Sequence, residues 1–183
     1  MTLNQKETTM ANEAVKTVLY LVRHGQTVDN VNQIMQGQRD GKLTSEGVAQ
    51  IERLADQMAD VAADAVVSSD LQRAIDSATI IACRRGLTVS TTPLLRERDW
   101  GDFTGQFIPD LQGLPMPENV EKLDELLARA GRFLAWIRAN YEGQRVIAVG
   151  HGIINKAIQA VYFGKQMREI PKMMNAECRE LIL

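Results

Sequence analysis

Thr17-Val18-Leu19-Tyr20-Leu21-Val22-Arg23-His24-Gly25 is the stretch on which the reading of this chain turns. Residues 17–22 form a short, β-rich apolar run without helical spacing, the pattern of a buried strand. The run stops at Arg23-His24-Gly25, so a histidine stands at the strand's carboxyl end. The arrangement recurs once: Arg145-Val146-Ile147-Ala148-Val149 is a second buried run, and it stops at Gly150-His151-Gly152. These are the only two histidines in the chain. In open α/β sheets ligands collect beyond the carboxyl ends of the strands, so neighbouring strands would bring both imidazoles to one edge. The glycine after each histidine allows close backbone approach and offers an amide to an anion. A lone histidine in such a place is usually an ordinary loop or core residue. Two in matched strand–His–Gly settings point to a site.

Outward from these runs, strands alternate with helices. Residues 29–42 are polar and glycine-punctuated, and read as a loop. Thr44 or Ser45 then caps a helix whose apolar face is Val48, Ile51, Leu54, Ala55 and Met58. Ala65-Val66-Val67 reads as a strand, followed by three N-cap types, Ser68-Ser69-Asp70, and a helix through about Arg84. Leu87-Thr88-Val89 reads as an edge strand. A long loop from Pro93 to Glu118 holds four of the five prolines, and loops of that length are usually functional or mobile. The apolar spacing from Val120 to Tyr141 predicts a long helix starting at Asn119, and a last helix runs from Ile153 to about Phe163. This alternation predicts an α/β fold on a largely parallel sheet.

At 183 residues the length favours one domain, placed at residues 17–183. Residues 1–16 are polar and mixed in charge, and read as a flexible extension; they lack the pattern of a secretory signal, so a cytoplasmic setting is the default. A net charge of −2 gives no global basic field for nucleic acid. Apolar runs as short as Val18 to Val22 cannot span a bilayer, which needs about 20 residues. Cys83 and Cys178 are too few for a disulfide framework and lack metal-ligand spacing, and read as reduced, partly buried thiols; no cofactor is expected.

Two arginines sharpen the histidine pattern. A guanidinium beside an imidazole at a strand end, as in Arg23-His24, suits paired hydrogen bonds to a phosphate. Arg73 falls in the first turn of the helix after Asp70, where its charge opposes the helix dipole and a bound anion would offset that placement. A solvated surface arginine is the plain alternative.

Leu21-Val22-Arg23-His24-Gly25-Gln26-Thr27 resembles the RHG signature of the histidine phosphatase superfamily, which includes the cofactor-dependent phosphoglycerate mutases. Asn30, Gln36-Gly37, Leu43-Thr44, Gly47, the block Ser68 to Ala74, Leu95-Arg96-Glu97 with Gly101 and Gly105, and Val149 to Gly152 also look like that family. The resemblance covers roughly residues 17–155 in order. It implies a three-layer α/β/α fold with a central, mostly parallel sheet. It implies that His24 attacks phosphorus, that Arg23, Arg73 and His151 bind the phosphoryl oxygens, and that Asn30 assists. Gln36, Arg98 and Gly152 are further candidates for phosphate or substrate binding. Glu97 would be general acid for the leaving alcohol, then base for water. The chemistry is coherent without a metal, since phosphoryl transfer rests on positioning and charge stabilisation. It asks for a neutral His24 and, preferably, a cationic His151. Glu97 admits two readings: Arg96 and Arg98 could keep it ionised, whereas an acid needs a raised pKa, and burial decides.

Residues 99–121 contain no lysine or arginine but several carboxylates. The mutases keep basic residues there for a second anionic group, and an asparagine where this chain has Ile153. The expected activity is therefore hydrolysis of a small-molecule phosphomonoester, with mutase-type transfer or a non-catalytic phospho-ligand-binding member as alternatives. The short phosphohistidine-protein phosphatases of the family typically lack an acid at the Glu97 position, which favours an ester. A phosphatase acting on a nucleotide-loop precursor of cobalamin shares the Leu-Arg-Glu and Gly-Asp-Phe-Thr-Gly style of block. Trp100, Phe103, Phe107, Ile108 and Leu111 suggest an apolar wall for the alcohol, or core packing.

Overall fold

The apolar strand runs come together as one sheet in the computed structural model, which describes residues 16–183. The expected extension over residues 1–16 therefore lies, but for Lys16, outside the described residues. Strands β1 (Val18–Arg23), β2 (Ala65–Ser69), β3 (Val89–Thr92), β4 (Arg145–Gly150) and β5 (Cys178–Ile182) stand in the order β3-β2-β4-β1-β5. The first four run parallel, and β5 joins β1 antiparallel. Five helices cover the sheet's faces and ends: α1 (Val28–Val31), α2 (Ser45–Gln57), α3 (Gln72–Cys83), α4 (Leu123–Asn140) and α5 (Gly152–Phe163).

Strand alternation sorts the core into two halves. Leu19 and Leu21 of β1 pack with Phe133, Ile137, Ile154 and Ile158 of α4 and α5. Val22 faces the opposite side, with Ile51, Leu54, Ala74, Ala78 and Ile81 of α2 and α3. Successive strand side chains point to opposite faces, so a sheet covered on both sides reads as a continuous apolar run. Each large apolar side chain so buried contributes about 1.5–3 kcal/mol relative to exposure. The result is the expected three-layer α/β/α arrangement.

Several local boundaries differ from the sequence reading. The 29–42 stretch contains α1, a single turn closed by a reciprocal cap: the Thr27 hydroxyl accepts from the Asn30 amide, and Asn30 Oδ1 from the Thr27 amide, each at 3.1 Å. Thr44 is the N-cap of α2, accepting from Gly47 N at 2.9 Å. Ser68 and Ser69 belong to β2, and Asp70 pairs with Arg96 at 2.6 Å, so α3 starts after Leu71 without a side-chain cap. The edge strand sits two residues later than read, at Val89–Thr92. Helix α4 begins at Leu123, because Glu121 N bonds to Asp99 O at 2.9 Å instead of entering a helical ladder. The long loop carries 3₁₀ turns at Pro93–Leu95, Gly101–Phe103 and Ile108–Leu111. Among the described residues, no helix is long and apolar enough to cross a membrane.

Candidate active site

Register brings the two histidines together. Arg23 of β1 pairs with Gly150 of β4, and the ladder continues one bond further, from His24 N to Gly150 O at 3.1 Å. His24 and His151 are the next residues on each strand, and their ring centroids lie 5.1 Å apart, edge to face. Asn155, one helical turn after His151 and fully buried, donates through Nδ2 to Val22 O at 3.0 Å and ties the start of α5 to the end of β1.

The tautomer of each imidazole follows from its partner. His24 Nδ1 lies 2.7 Å from Gly25 O, and a carbonyl can only accept, so Nδ1 carries the proton and Nε2 keeps its lone pair. In His151, Nδ1 accepts from Arg73 Nε at 3.1 Å, which places the proton on Nε2. That Nε2 is buried and has no partner in the protein. Burial first, then the charges of Arg73 and Arg23, hold His24 well below the ordinary imidazole value. Burial, then Arg73, does the same to His151. These surroundings favour a neutral His151 that offers Nε2–H as a donor, where a cationic ring was expected for catalysis.

This pair has a consequence for stability. The unfolded chain protonates both imidazoles below the ordinary value of 6.5, whereas the folded protein resists. The unfolded state then binds more protons, so stability is full above that value and falls as the pH drops below it. Each imidazole contributes a slope of up to about 1.4 kcal/mol per pH unit. Urea midpoints measured from about pH 8 to pH 5 should hold level and then decline, with a shallower decline in His24→Gln. An unchanged slope in that variant contradicts a buried, neutral His24.

Arg73 is 1% exposed, which removes the reading of a solvated arginine. Its Nη1 donates to Arg39 O at 2.7 Å and its Nη2 to Gly37 O at 2.8 Å. Burial pulls it down to about 10. Arg23 gives Nη1 to Met173 O at 2.7 Å and leaves a buried Nε without a partner. Among the described residues neither guanidinium has a carboxylate within 4.0 Å, so the buried Arg73 and the partly buried Arg23 share one edge with no direct ion pair, their charge offset only from a longer distance by Glu97. Removing such charges from water is expensive unless a partner arrives.

Both arginines, with His24, line a cavity of about 210 Å³. Asn30, Gln36, Glu97 and Gly152 line it too, so seven sequence candidates, all but His151 and Arg98, meet in one place. His151 sits beneath, fully buried behind His24 and Arg73. Gln36 Oε1 is buried without a partner. Asn30 Oδ1 is held by Thr27 N and, at 3.2 Å, by Asn175 Nδ2, which leaves its own Nδ2 as a donor. A Cβ on Gly152 would stand 3.5 Å from Arg23 Nε and 3.7 Å from Glu97 Oε2, between the two functional groups. Gly25 has another role than the one expected. Its amide is taken by Ser77 Oγ at 3.2 Å, and a Cβ there would sit 2.3 Å from Gly47 O, so it serves close packing on α2.

Glu97 turns its carboxylate onto the start of α5. Oε1 accepts from Ile153 N and Ile154 N, each at 3.1 Å, and from Arg98 N at 2.8 Å. Neither flanking arginine pairs with it, contrary to one sequence alternative: Arg96 binds Asp70, and Arg98 does not reach the cavity. Arg98 donates Nε to Glu121 O at 2.9 Å and stacks 4.6 Å above the Trp100 ring. Contrary to the sequence expectation, its side chain does not line the cavity. Trp100 and Ile108 line the cavity as expected; Phe103, Phe107 and Leu111 do not. Gly37 and Ile153 also line it, together with Ile34, Met35 and Lys172, which sequence reasoning missed. Lys172 is an exposed cation brought in by the segment before β5, a region without a periodic signal.

The family model of the histidine phosphatase superfamily (branch 1) matches residues 19–183. The chain belongs to that superfamily. Phosphoglycerate mutase-like protein 4 of Arabidopsis thaliana is 31% identical, covering 86% of this chain and 75% of its own. A mycobacterial glucosyl-3-phosphoglycerate phosphatase, solved in complex with VO3, is 30% identical with a TM-score of 0.81, covering 89% of this chain and 91% of its own. The alpha-ribazole phosphatase of Shigella flexneri is 25% identical with a TM-score of 0.79, covering 89% of both chains. Membership supports a phosphoryl-transfer enzyme, and the superfamily acts on small phosphorylated substrates; His24, Arg23 and Arg73 line the cavity, with His151 buried beneath them.

Proposed function

We propose that this protein is a phosphatase that hydrolyses a small phosphomonoester through a phosphohistidine on His24, with no metal or cofactor. One observation carries the reading: two buried donors, Arg23 Nε and His151 Nε2, lack partners beside a histidine whose Nε2 lone pair is free. A phosphoryl group supplies acceptors to both. Arg23 and Arg73 neutralise its charge, and each retains unused N–H groups for it. Among the described residues no cluster of three His, Cys, Asp or Glu is arranged to hold a metal. The two guanidiniums supply the positive charge that a metal would otherwise bring.

In the first step His24 Nε2 bonds to phosphorus and the ester P–O bond breaks; protonated Glu97 gives its proton to the leaving alcohol. In the second, a water oxygen bonds to phosphorus, the P–N bond breaks, and Glu97 takes the proton from that water. Asn30 Nδ2 and the Gly152 edge hold the phosphoryl oxygens, and Gln36 Oε1 suits a substrate hydroxyl. Ile34, Met35, Trp100, Ile108 and Ile153 give the alcohol an apolar wall. Action in the cytoplasm and a single domain over residues 17–183 go with this reading. Similarity to the alpha-ribazole phosphatase keeps a nucleotide-loop alcohol among the substrates to be screened.

Mutase chemistry is favoured by one feature, Lys172, which adds a cation that residues 99–121 lack. Against it stand the single added charge and the apolar Ile153. A member that only binds phospho-ligands has no need of Glu97 at the cavity. Assay of an aryl phosphate in excess chelator, and of 3-phosphoglycerate with its bisphosphate primer, separates these readings. Chelator-resistant hydrolysis that outruns isomerisation is expected. Rapid formation of 2-phosphoglycerate, or activity lost to the chelator, overturns the proposal.

A further inference from the structure

Glu97 sits in irregular backbone between two 3₁₀ turns, yet its carboxylate must be held where a proton is exchanged. Fixing a loop residue in one conformation costs backbone entropy, so something must hold it. The stretch around it is gripped from outside the cavity by one side chain of α4. Arg129 Nη1 donates to Leu94 O at 3.1 Å and to Arg96 O at 2.6 Å, and Nη2 reaches Glu97 O at 3.4 Å. Three carbonyls in four residues thus converge on one guanidinium. Its other edge is paired fork to fork with Glu121: Nε to Oε1 at 2.9 Å and Nη2 to Oε2 at 2.7 Å. Both side chains are largely buried, at 11% and 13% exposure, so the pair is shielded from competing water and salt.

Glu121 closes the clasp on the far side of Glu97. Its carbonyl accepts from Arg98 Nε at 2.9 Å, and its amide donates to Asp99 O at 2.9 Å. Residues 94–99 are therefore tied down on both flanks of Glu97 by two residues that do not line the cavity. Gln38 Nε2 adds a bond to Glu97 O at 3.1 Å.

We propose that Arg129, oriented by Glu121, is a positioning residue that sets the Glu97 carboxyl for proton transfer to the leaving alcohol. This rests on the phosphatase reading of Glu97. A plain structural staple would lower all activities together as the fold loosened. Positioning of an acid predicts a loss that grows with the basicity of the leaving group, because a good leaving group departs without a proton.

The test compares kcat/KM, which reports steps up to departure of the alcohol, for p-nitrophenyl phosphate and for glycerol phosphate. Parent, Arg129→Met, Arg129→Lys, Glu121→Gln and Glu97→Gln enzymes are measured, each at a temperature well below its Tm. Arg129→Met and Glu121→Gln should lose about 10–100-fold on glycerol phosphate but less than about threefold on the aryl ester. Arg129→Lys, which retains the charge, should recover part of the loss. Added to Glu97→Gln, Arg129→Met should cost little more, since the group it positions is already gone. Equal losses on both esters in Arg129→Met and Glu121→Gln, or full additivity with Glu97→Gln, overturn the proposal. If Glu97→Gln itself loses equally on both esters, the acid role of Glu97 fails, and that is a separate result.

Discussion

Replacing His24 by alanine should lower kcat by about 10⁵-fold or more on any phosphomonoester, the scale on which a covalent nucleophile is lost. The magnitude follows from geometry. Nδ1–H is committed to Gly25 O, which fixes the ring and leaves Nε2 as an unprotonated nitrogen on a side chain that lines the cavity. No other described nucleophile is placed to substitute for it: Cys178 is pushed up to about 12 by burial and lies in β5, and Cys83 is exposed at the end of α3. Phosphate binding should survive, because Arg23 and Arg73 stand independently of the ring. A thermal shift with inorganic phosphate in His24→Ala checks this. Loss of binding along with turnover would mean that the substitution disrupted the site as a whole.

Arg73→Met should lower kcat/KM by about 10³–10⁴-fold, comparable to removing a principal charge-stabilising donor from a transition state. The side chain does three things at once. It lines the cavity, it holds the Gly37 and Arg39 carbonyls of the loop after α1, and it donates to His151 Nδ1 and so keeps the His151 proton on Nε2. Stability should change far less than activity, within about 2 kcal/mol. Two carbonyls and His151 Nδ1 lose a partner, but a buried cation without a direct ion pair is removed in exchange, and replacing such a charge with an apolar group is often neutral. Urea unfolding beside steady-state kinetics tests the contrast. A stability loss beyond about 4 kcal/mol would assign Arg73 a structural role instead.

How much of this was written in the sequence depends on the range of the interaction. The β1 and β4 runs were legible because strands buried on both faces have no polar interruptions. The terminal His-Gly pairs were legible because a polar residue breaks each run at its carboxyl end. Their meeting required only that β1 and β4 be neighbours. Side-chain direction in the 93–118 loop was not legible. Arg98 looks like a phosphate ligand beside Glu97, yet its course is set by the Trp100 ring and by Glu121, which are placed by 3₁₀ turns that leave no periodic trace. The tautomer of His151 was not legible for a similar reason. It depends on Arg73, 78 residues away in the chain. Lys172 and β5 escaped because a short edge strand of alternating charge carries little apolar signal.

Arg129 illustrates the same limit from α4. Its spacing marks it only as a polar position on an amphipathic helix, and nothing local announces that three carbonyls will gather on it.

The central claim, that His24 Nε2 takes the phosphoryl group, is tested most directly by rapid quench into alkali during turnover, followed by mass spectrometry of the peptide containing residue 24. The account predicts one phosphoryl group on His24, stable in base, lost in acid, and absent from His24→Ala. An enzyme in full turnover that carries no such label, or carries it on another residue, would contradict it.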